Sequence, residues 1–139
     1  SRIECMFDSC SDGELLVLVE GAHRQQSMQM ARKLAAVAQL LGRRIEEELA
    51  VDLDARSMIT GFARTTAEVS AVMNMTPARA RQLVAQAEAM DCRLPAIAAL
   101  LAAGHVDWHT VEIVLARAEL VQEDKCAALD AMVAEQISD

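Results

Sequence analysis

Thr65-Thr66-Ala67-Glu68-Val69-Ser70-Ala71-Val72-Met73-Asn74-Met75-Thr76-Pro77-Ala78-Arg79-Ala80-Arg81-Gln82-Leu83-Val84 carries two helix-start signals, at Thr65 and Thr76. Thr65 with Glu68 matches a capping box, in which the hydroxyl and the carboxylate satisfy the first amides of a helix. Val69, Val72 and Met73 would form the apolar side of that helix, and Ala71 is small enough for a close helix crossing. Asn74 suits a turn that needs left-handed backbone, and Met75 can fill the gap between two helices. Thr76 caps the second helix and Pro77 takes its first position, where the missing N–H costs nothing. Ala80, Leu83, Val84 and Ala87 then follow the i, i+3, i+4, i+7 pattern of a buried stripe. The segment is predicted to be a helix-turn-helix-like hairpin.

The rest of the chain is consistent with helices alone. Among 139 residues there are two prolines, five glycines and no tyrosine, and aromatics are 2%. Strands favour aromatic and β-branched residues, whereas Ala, Leu, Met, Gln, Glu and Arg favour helix. The fold class expected is all-α: a multi-helix domain with a long N-terminal helix and the internal hairpin. Residues 1–10 lack periodicity and are expected to form a flexible tail. Residues 11–139 suit a single domain, and the abrupt end of the last helix suggests a fragment of a longer protein.

Ser11-Asp12-Gly13-Glu14 is a capping box for the long helix. Met30, Leu34, Val37, Leu41 and Ile45 then recur on one helical face. A break near Gly21 or Gly42, with internal packing, is one outcome. An unbroken helix to Leu49 would outrun a compact domain, and that face would become a homodimer interface. Asp52 and Asp54 mark a boundary, after which a short helix over Ala55–Ala63 should bury Met58, Ile59 and Phe62.

Further along, Pro95 opens a helix that buries Ile97, Leu100 and Leu101 and stops at Gly104. Asp107 caps the next helix, with Val106 and Val111 as a hydrophobic staple. Val111, Val114, Leu115 and Ala118 form its inner face. Val121–Asp124 make a turn, and Cys126, Leu129, Val133 and Ile137 line the last helix.

The formal net charge is −8, which argues against nonspecific polyanion binding by the whole chain. The charge is uneven. Residues 1–54 hold six basic and ten acidic residues, 55–94 hold five and three, and 95–139 hold two and eight. The hairpin lies in the only positive third. On its second helix Arg79, Arg81, Gln82 and Gln86 point away from the apolar stripe. Arginine and glutamine can read guanine and adenine edges, and the helix start at Thr76 favours phosphate. Thr76, Arg79, Arg81, Gln82 and Gln86 are therefore the candidate DNA contacts.

Other chemistry finds little support. His105-Val106-Asp107-Trp108-His109 looks like a ligand cluster, but a metal needs at least three converging ligands and Asp107 is accounted for as a cap. His23 reads as surface or core filler, and Glu46-Glu47-Glu48 as a solvated face. No nucleophile has a recognisable context, and no glycine-rich phosphate loop occurs. No metal, cofactor or catalytic residue is assigned. Cys5, Cys10, Cys92 and Cys126 form no CxxC pair, which fits a reducing, cytoplasmic setting; a Cys5–Cys10 disulfide would need an oxidising one. The longest strongly apolar run, Leu15–Val19, falls far short of the roughly 20 residues that span a bilayer.

Several ordered pieces resemble a known family. They are Ala67-Glu68-Val69-Ser70-Ala71-Val72-Met73-Asn74-Met75-Thr76, the stretch from Ala85 to Met90, Arg93-Leu94-Pro95, and Leu101-Ala102-Ala103-Gly104-His105-Val106-Asp107-Trp108, with Glu119-Leu120 beyond. Together they look like the actinobacterial, chiefly mycobacterial, thirteen-E-twelve repeat family. The likeness covers most of Leu15–Ile137 and is densest over Phe62–Leu120. It implies an all-helical cytoplasmic module that in longer members precedes an HNH endonuclease module and is thought to act on DNA. No HNH-type metal site occurs in these 139 residues, so the resemblance assigns no cutting activity to them.

Overall fold

The computed structural model describes residues 6–51, 56–121 and 123–138. Among the described residues these helices follow one another: α1 (Asp12–Val51), α2 (Arg56–Met73), α3 (Pro77–Cys92), α4 (Pro95–Ala102), α5 (Trp108–Ala118) and α6 (Cys126–Ser138). A 3-10 turn at Glu123–Lys125 precedes α6. The described residues contain no strand, and none of their helices is long and apolar enough to cross a membrane. The boundary expected at Asp52 and Asp54, the Cys5 partner of a Cys5–Cys10 disulfide, and half of the expected tail (residues 1–5) lie outside the described residues. Within that tail Cys10 is a free thiol.

The α1 helix is the spine. Its capping box forms as the sequence predicts: the Glu14 amide donates to Ser11 Oγ and the Ser11 amide to Glu14 Oε1, both at 3.2 Å. The expected break at Gly21 or Gly42 does not occur. A Cβ at either glycine would meet nothing within 4 Å. Both glycines therefore sit in open helix, where each costs only about 1 kcal/mol of propensity, and the surrounding Ala, Leu, Gln and Arg carry the helix through. Leu34, Val37 and Leu41 are buried, with Met30, Ala31, Ala38 and Ile45 packed alongside. This face meets α2, α3 and α4 of the same chain. The N-terminal end of α1 extends past that core: Leu16, Val17 and Val19 are each 66–69% exposed.

The α2 helix differs most from expectation. It runs unbroken through Thr65, so no helix starts there. Thr65 is buried, and its hydroxyl donates back to the Gly61 carbonyl at 2.8 Å, a bond that lets threonine sit inside a helix. Glu68 reaches no cap and pairs with Arg44 on α1. The buried face is Ser57, Gly61, Thr65 and Val69, every fourth residue, with Thr66 buried beside Thr65. Met58, Ile59 and Val72 are exposed, against the sequence prediction, and Met73 is 37% exposed. Small side chains win this face because α2 lies very close to α1: a Cβ on Gly61 would come within 2.7–3.0 Å of Ile45. Gly61, not Ala71, makes the close crossing.

The C-terminal half follows its sequence signals closely. Leu94, Ile97, Leu101, Val84 and Val111 are almost wholly buried where α3, α4 and α5 converge, each contributing about 1.5–3 kcal/mol of burial. Gly104 has φ +76 and ends α4. Its amide bonds the Leu101 carbonyl at 3.0 Å, while the His105 amide bonds Leu100 at 2.9 Å, the paired closure of a Schellman motif. Val106 and Val111 are both buried, as a staple requires.

Candidate nucleic-acid interface

The α2–α3 corner is built locally. The Met75 amide donates to the Ser70 carbonyl at 3.1 Å, and the Ser70 hydroxyl donates to the Met75 carbonyl at 2.7 Å. Asn74 takes a left-handed φ of 50, which asparagine tolerates. Thr76 is extended, and its Oγ1 accepts from the Arg79 amide at 3.2 Å, with Pro77 at the first helical position. Ala80, Leu83, Val84 and Ala87 are all buried. The start and the buried stripe of α3 are therefore as the sequence predicts.

This burial fixes where the candidate contacts go. Thr76, Arg79, Arg81 and Gln82 are exposed and Gln86 is half-buried. Arg81, Gln82 and Gln86 line a cleft of about 570 Å³ between α3 and α5, and Arg79 lies outside it. Arg93 joins them from the end of α3. The opposite wall is acidic, with Glu112 and Glu119 on α5. Gln86 Nε2 donates to Glu112 Oε2 at 3.5 Å, a long and weak contact. Arg79 and Arg81 make no ion pair among the described residues.

At the α1–α2 crossing two arginines are engaged. Arg44 grips Glu68 through two bonds, Nε to Oε1 at 2.8 Å and Nη2 to Oε2 at 3.0 Å, and also meets Glu47 at 2.8 Å. Arg64 bonds Glu48 at 2.9 Å and Glu47 at 3.0 Å. Glu47 and Glu48 thus clamp α1 to α2, a role hidden in what reads as a solvated acidic run. The Arg44 bond holds the Glu68 carboxyl below the usual carboxylate range, and the bonds from Glu68 and Glu48 raise the Arg44 and Arg64 guanidiniums respectively. For a carboxyl lowered in the fold, the stabilisation is present above its unfolded pKa and is lost as pH falls through the folded one. Urea midpoints for the parent and Glu68→Gln should therefore differ at neutral pH and converge in acid. A difference that persists at low pH would mean the pair acts by packing alone.

The histidine-rich turn forms a cap. Asp107 Oδ1 accepts from the Thr110 amide at 2.8 Å. His23 arrives from α1 with Nε2 at 3.3 Å from Asp107 Oδ2, so the residue read as filler has a partner. The Thr110 hydroxyl and amide, helped by His23, hold the Asp107 carboxyl below its ordinary value. No group of three or more potential ligands converges among the described residues.

The five α1 residues expected at a dimer interface are accounted for within the chain: Leu34, Val37 and Leu41 are in the core, and Met30 and Ile45 pack on it.

Residues 21–139 match the model of a domain of unknown function, DUF222. The chain belongs to the DUF222 family. It is 32% identical over 125 residues to two uncharacterised proteins of Mycobacterium tuberculosis, MT2160 of strain CDC 1551 / Oshkosh and Rv2100 of strain ATCC 25618 / H37Rv. The matched region is 89% of this chain and 22% of each relative, so this DUF222 chain spans about a fifth of those proteins. No solved structure matches it.

Proposed function

We propose that this DUF222 domain associates with DNA through the exposed start of α3, and that it serves to position a longer DNA-acting protein rather than to cut. The observation that carries this reading is the pair of unengaged guanidiniums, Arg79 and Arg81, beside a capped helix N-terminus. Arg24, Arg44 and Arg64 by contrast are paired with carboxylates. Phosphate is favoured at such a helix start, and arginine can add bidentate bonds to phosphate or guanine. Gln82 and Gln86 lie one and two turns further along the helix, in reach of base edges. Arg81, Gln82 and Gln86 line the cleft whose far wall is Glu112 and Glu119, so a polyanion, repelled by that wall, meets Arg79 and the Thr76 helix start first and the glutamines only beyond them. The likeness to the thirteen-E-twelve repeat family, whose longer members carry an HNH endonuclease module, supports the same reading.

Fluorescence anisotropy with a labelled duplex tests it. Affinity should fall steeply between 50 and 200 mM salt. Arg79→Ala with Arg81→Ala should weaken binding and reduce the magnitude of the log–log salt slope by about 2, since each lost phosphate contact removes about 0.9. Absence of binding at the lower salt, or a slope unchanged in the double variant, would overturn the assignment.

A further inference from the structure

We infer that the cleft between α3 and α5 binds a guanine base. The inference shares Arg81, Gln82 and Gln86 with the DNA reading and rests on it only for a base that comes from a strand; a free guanine nucleotide fills the same site.

The cleft carries opposite charges that do not meet. Arg81 and Arg93 stand on the α3 side, Glu112 and Glu119 on the α5 side. None of the four makes an ion pair among the described residues, whereas Arg44 closes on Glu68 and Arg64 on Glu48 at the α1–α2 crossing. Arg93 and Glu112 are half-buried, and Arg81 and Glu119 are exposed. Half-burial takes water from an unpaired charge, so the inner two gain most from a ligand that satisfies both. Between the walls lie Leu115, Ala85, Ala89 and Ala116, whose mostly short side chains leave about 570 Å³, room for a nucleotide. The Gln86 amide reaches Glu112 Oε2 only at 3.5 Å and leaves Oε1 without a hydrogen bond among the described residues.

A ligand that fits is apolar on its faces, with acceptors on one side and donors on the other. An inorganic anion fails at the glutamates, and a simple cation fails at the arginines. Guanine has both sides. Its O6 and N7 accept two parallel bonds from one guanidinium. Its N1–H and N2 amine donate side by side, spaced for the two oxygens of one carboxylate, which accepts only. Adenine and cytosine present a single amine and thymine a single ring N–H, so none of them fills a carboxylate in this way. The inner pair takes the base, Arg93 at O6 and N7 and Glu112 at N1 and N2. Arg81, nearer the start of α3, takes the phosphate. The acidic wall that repels a phosphate chain thus selects a base edge rich in donors.

Isothermal titration calorimetry of the chain with guanosine monophosphate, up to millimolar nucleotide, should show saturable binding. Inosine monophosphate, which lacks the N2 amine, and 7-deazaguanosine monophosphate, which lacks N7, should each bind about tenfold more weakly, as expected for one bidentate edge. Glu112→Gln should weaken guanosine monophosphate about tenfold, although removal of a negative charge would strengthen any general attraction for its phosphate. Helicity and thermal unfolding of this variant should match the parent, since Glu112 makes only that one long bond in the fold. In Arg93→Ala, guanosine and 7-deazaguanosine monophosphate should bind equally. A single-stranded dT tract with one central guanine that binds more tightly than guanosine monophosphate would place the base in a strand, and equal or weaker binding would assign the free nucleotide. No saturable binding of guanosine monophosphate, equal affinity for inosine monophosphate, or tighter binding by Glu112→Gln would each overturn the inference. The DNA reading would survive each of these, because it is judged on the salt slope of duplex binding, and failure there would leave the guanine site standing.

Discussion

Asp130→Ala is expected to lower the unfolding free energy by about 3 kcal/mol, read from urea denaturation at neutral pH. The α4 helix begins at Leu94, which has no side chain to cap it, and Pro95 follows. The next two amides, Ala96 and Ile97, have no intrahelical acceptor. Asp130 supplies both from α6: Oδ2 accepts from Ala96 at 2.8 Å and Oδ1 from Ile97 at 3.0 Å. Asp130 is only 4% exposed and Ile97 is wholly buried, so water cannot readily replace the carboxylate. Leaving a buried donor unmade costs about 1–3 kcal/mol, and bonds to a charged acceptor lie at the upper end. The carboxylate also sits at the positive end of the α4 dipole. Asp130→Asn keeps one carbonyl acceptor and should recover about half the loss. A loss below about 1 kcal/mol would mean that these two donors find other partners. Against a typical domain stability of about 5–15 kcal/mol, the expected loss is a large share, concentrated in one side chain that joins α6 to α4.

Asp130 also illustrates what a sequence can disclose. The apolar stripe of α6 reads Cys126, Leu129, Val133 and Ile137, and Asp130 falls within that stripe, four residues after Cys126. An acid on a buried face needs donors nearby, so its presence was a signal. Which donors it meets was not legible, because they lie 33 and 34 residues away. The same division runs through the molecule. Ser11 with Glu14, Thr76 with Pro77, Gly104, and Asp107 with Thr110 are closed by neighbours within a turn, and all form where expected. Thr65 with Glu68 has the same lettering as Ser11 with Glu14 but a different fate. A threonine that caps a helix and one that bonds back within it look alike in sequence. The choice is made by Arg44, 24 residues before Glu68, and by the close approach of α1.

For the candidate site, the division falls between one helix and its surroundings. The buried stripe of α3 leaves Arg79, Arg81 and Gln82 outside, which follows from periodicity alone. Glu112 and Glu119 face Arg81 and Gln82 only because α5 packs beside α3, and nothing in the 55–94 charge excess foretells that acidic wall. Likewise, periodicity picks out Met30, Leu34, Val37, Leu41 and Ile45 as one apolar face, but not whether that face meets its own chain or another. The answer depends on Gly61, whose missing side chain lets α2 approach.

Gly61→Ala should therefore destabilise the fold by up to about 2 kcal/mol, although alanine is the better helix former. Propensity alone would favour the substitution by about 1 kcal/mol. The new methyl, however, would lie 2.7 Å from Ile45 Cγ1, 2.9 Å from its amide nitrogen and 3.0 Å from its Cα. The Ile45 side chain can rotate, but its backbone cannot, so α1 and α2 must separate. Overpacking of this kind costs about 1–3 kcal/mol. The separation would loosen Val69 against the core and lengthen the Arg44–Glu68 and Arg64–Glu48 bonds on either side of the crossing. Gly21→Ala and Gly42→Ala provide the control, since a Cβ at either meets open space. Each should stabilise by about 0.5–1 kcal/mol. One substitution thus changes sign along two neighbouring helices, and thermal unfolding of the three variants under the same conditions measures it. If Gly61→Ala raised the melting temperature as the other two should, the tight α1–α2 crossing would be refuted.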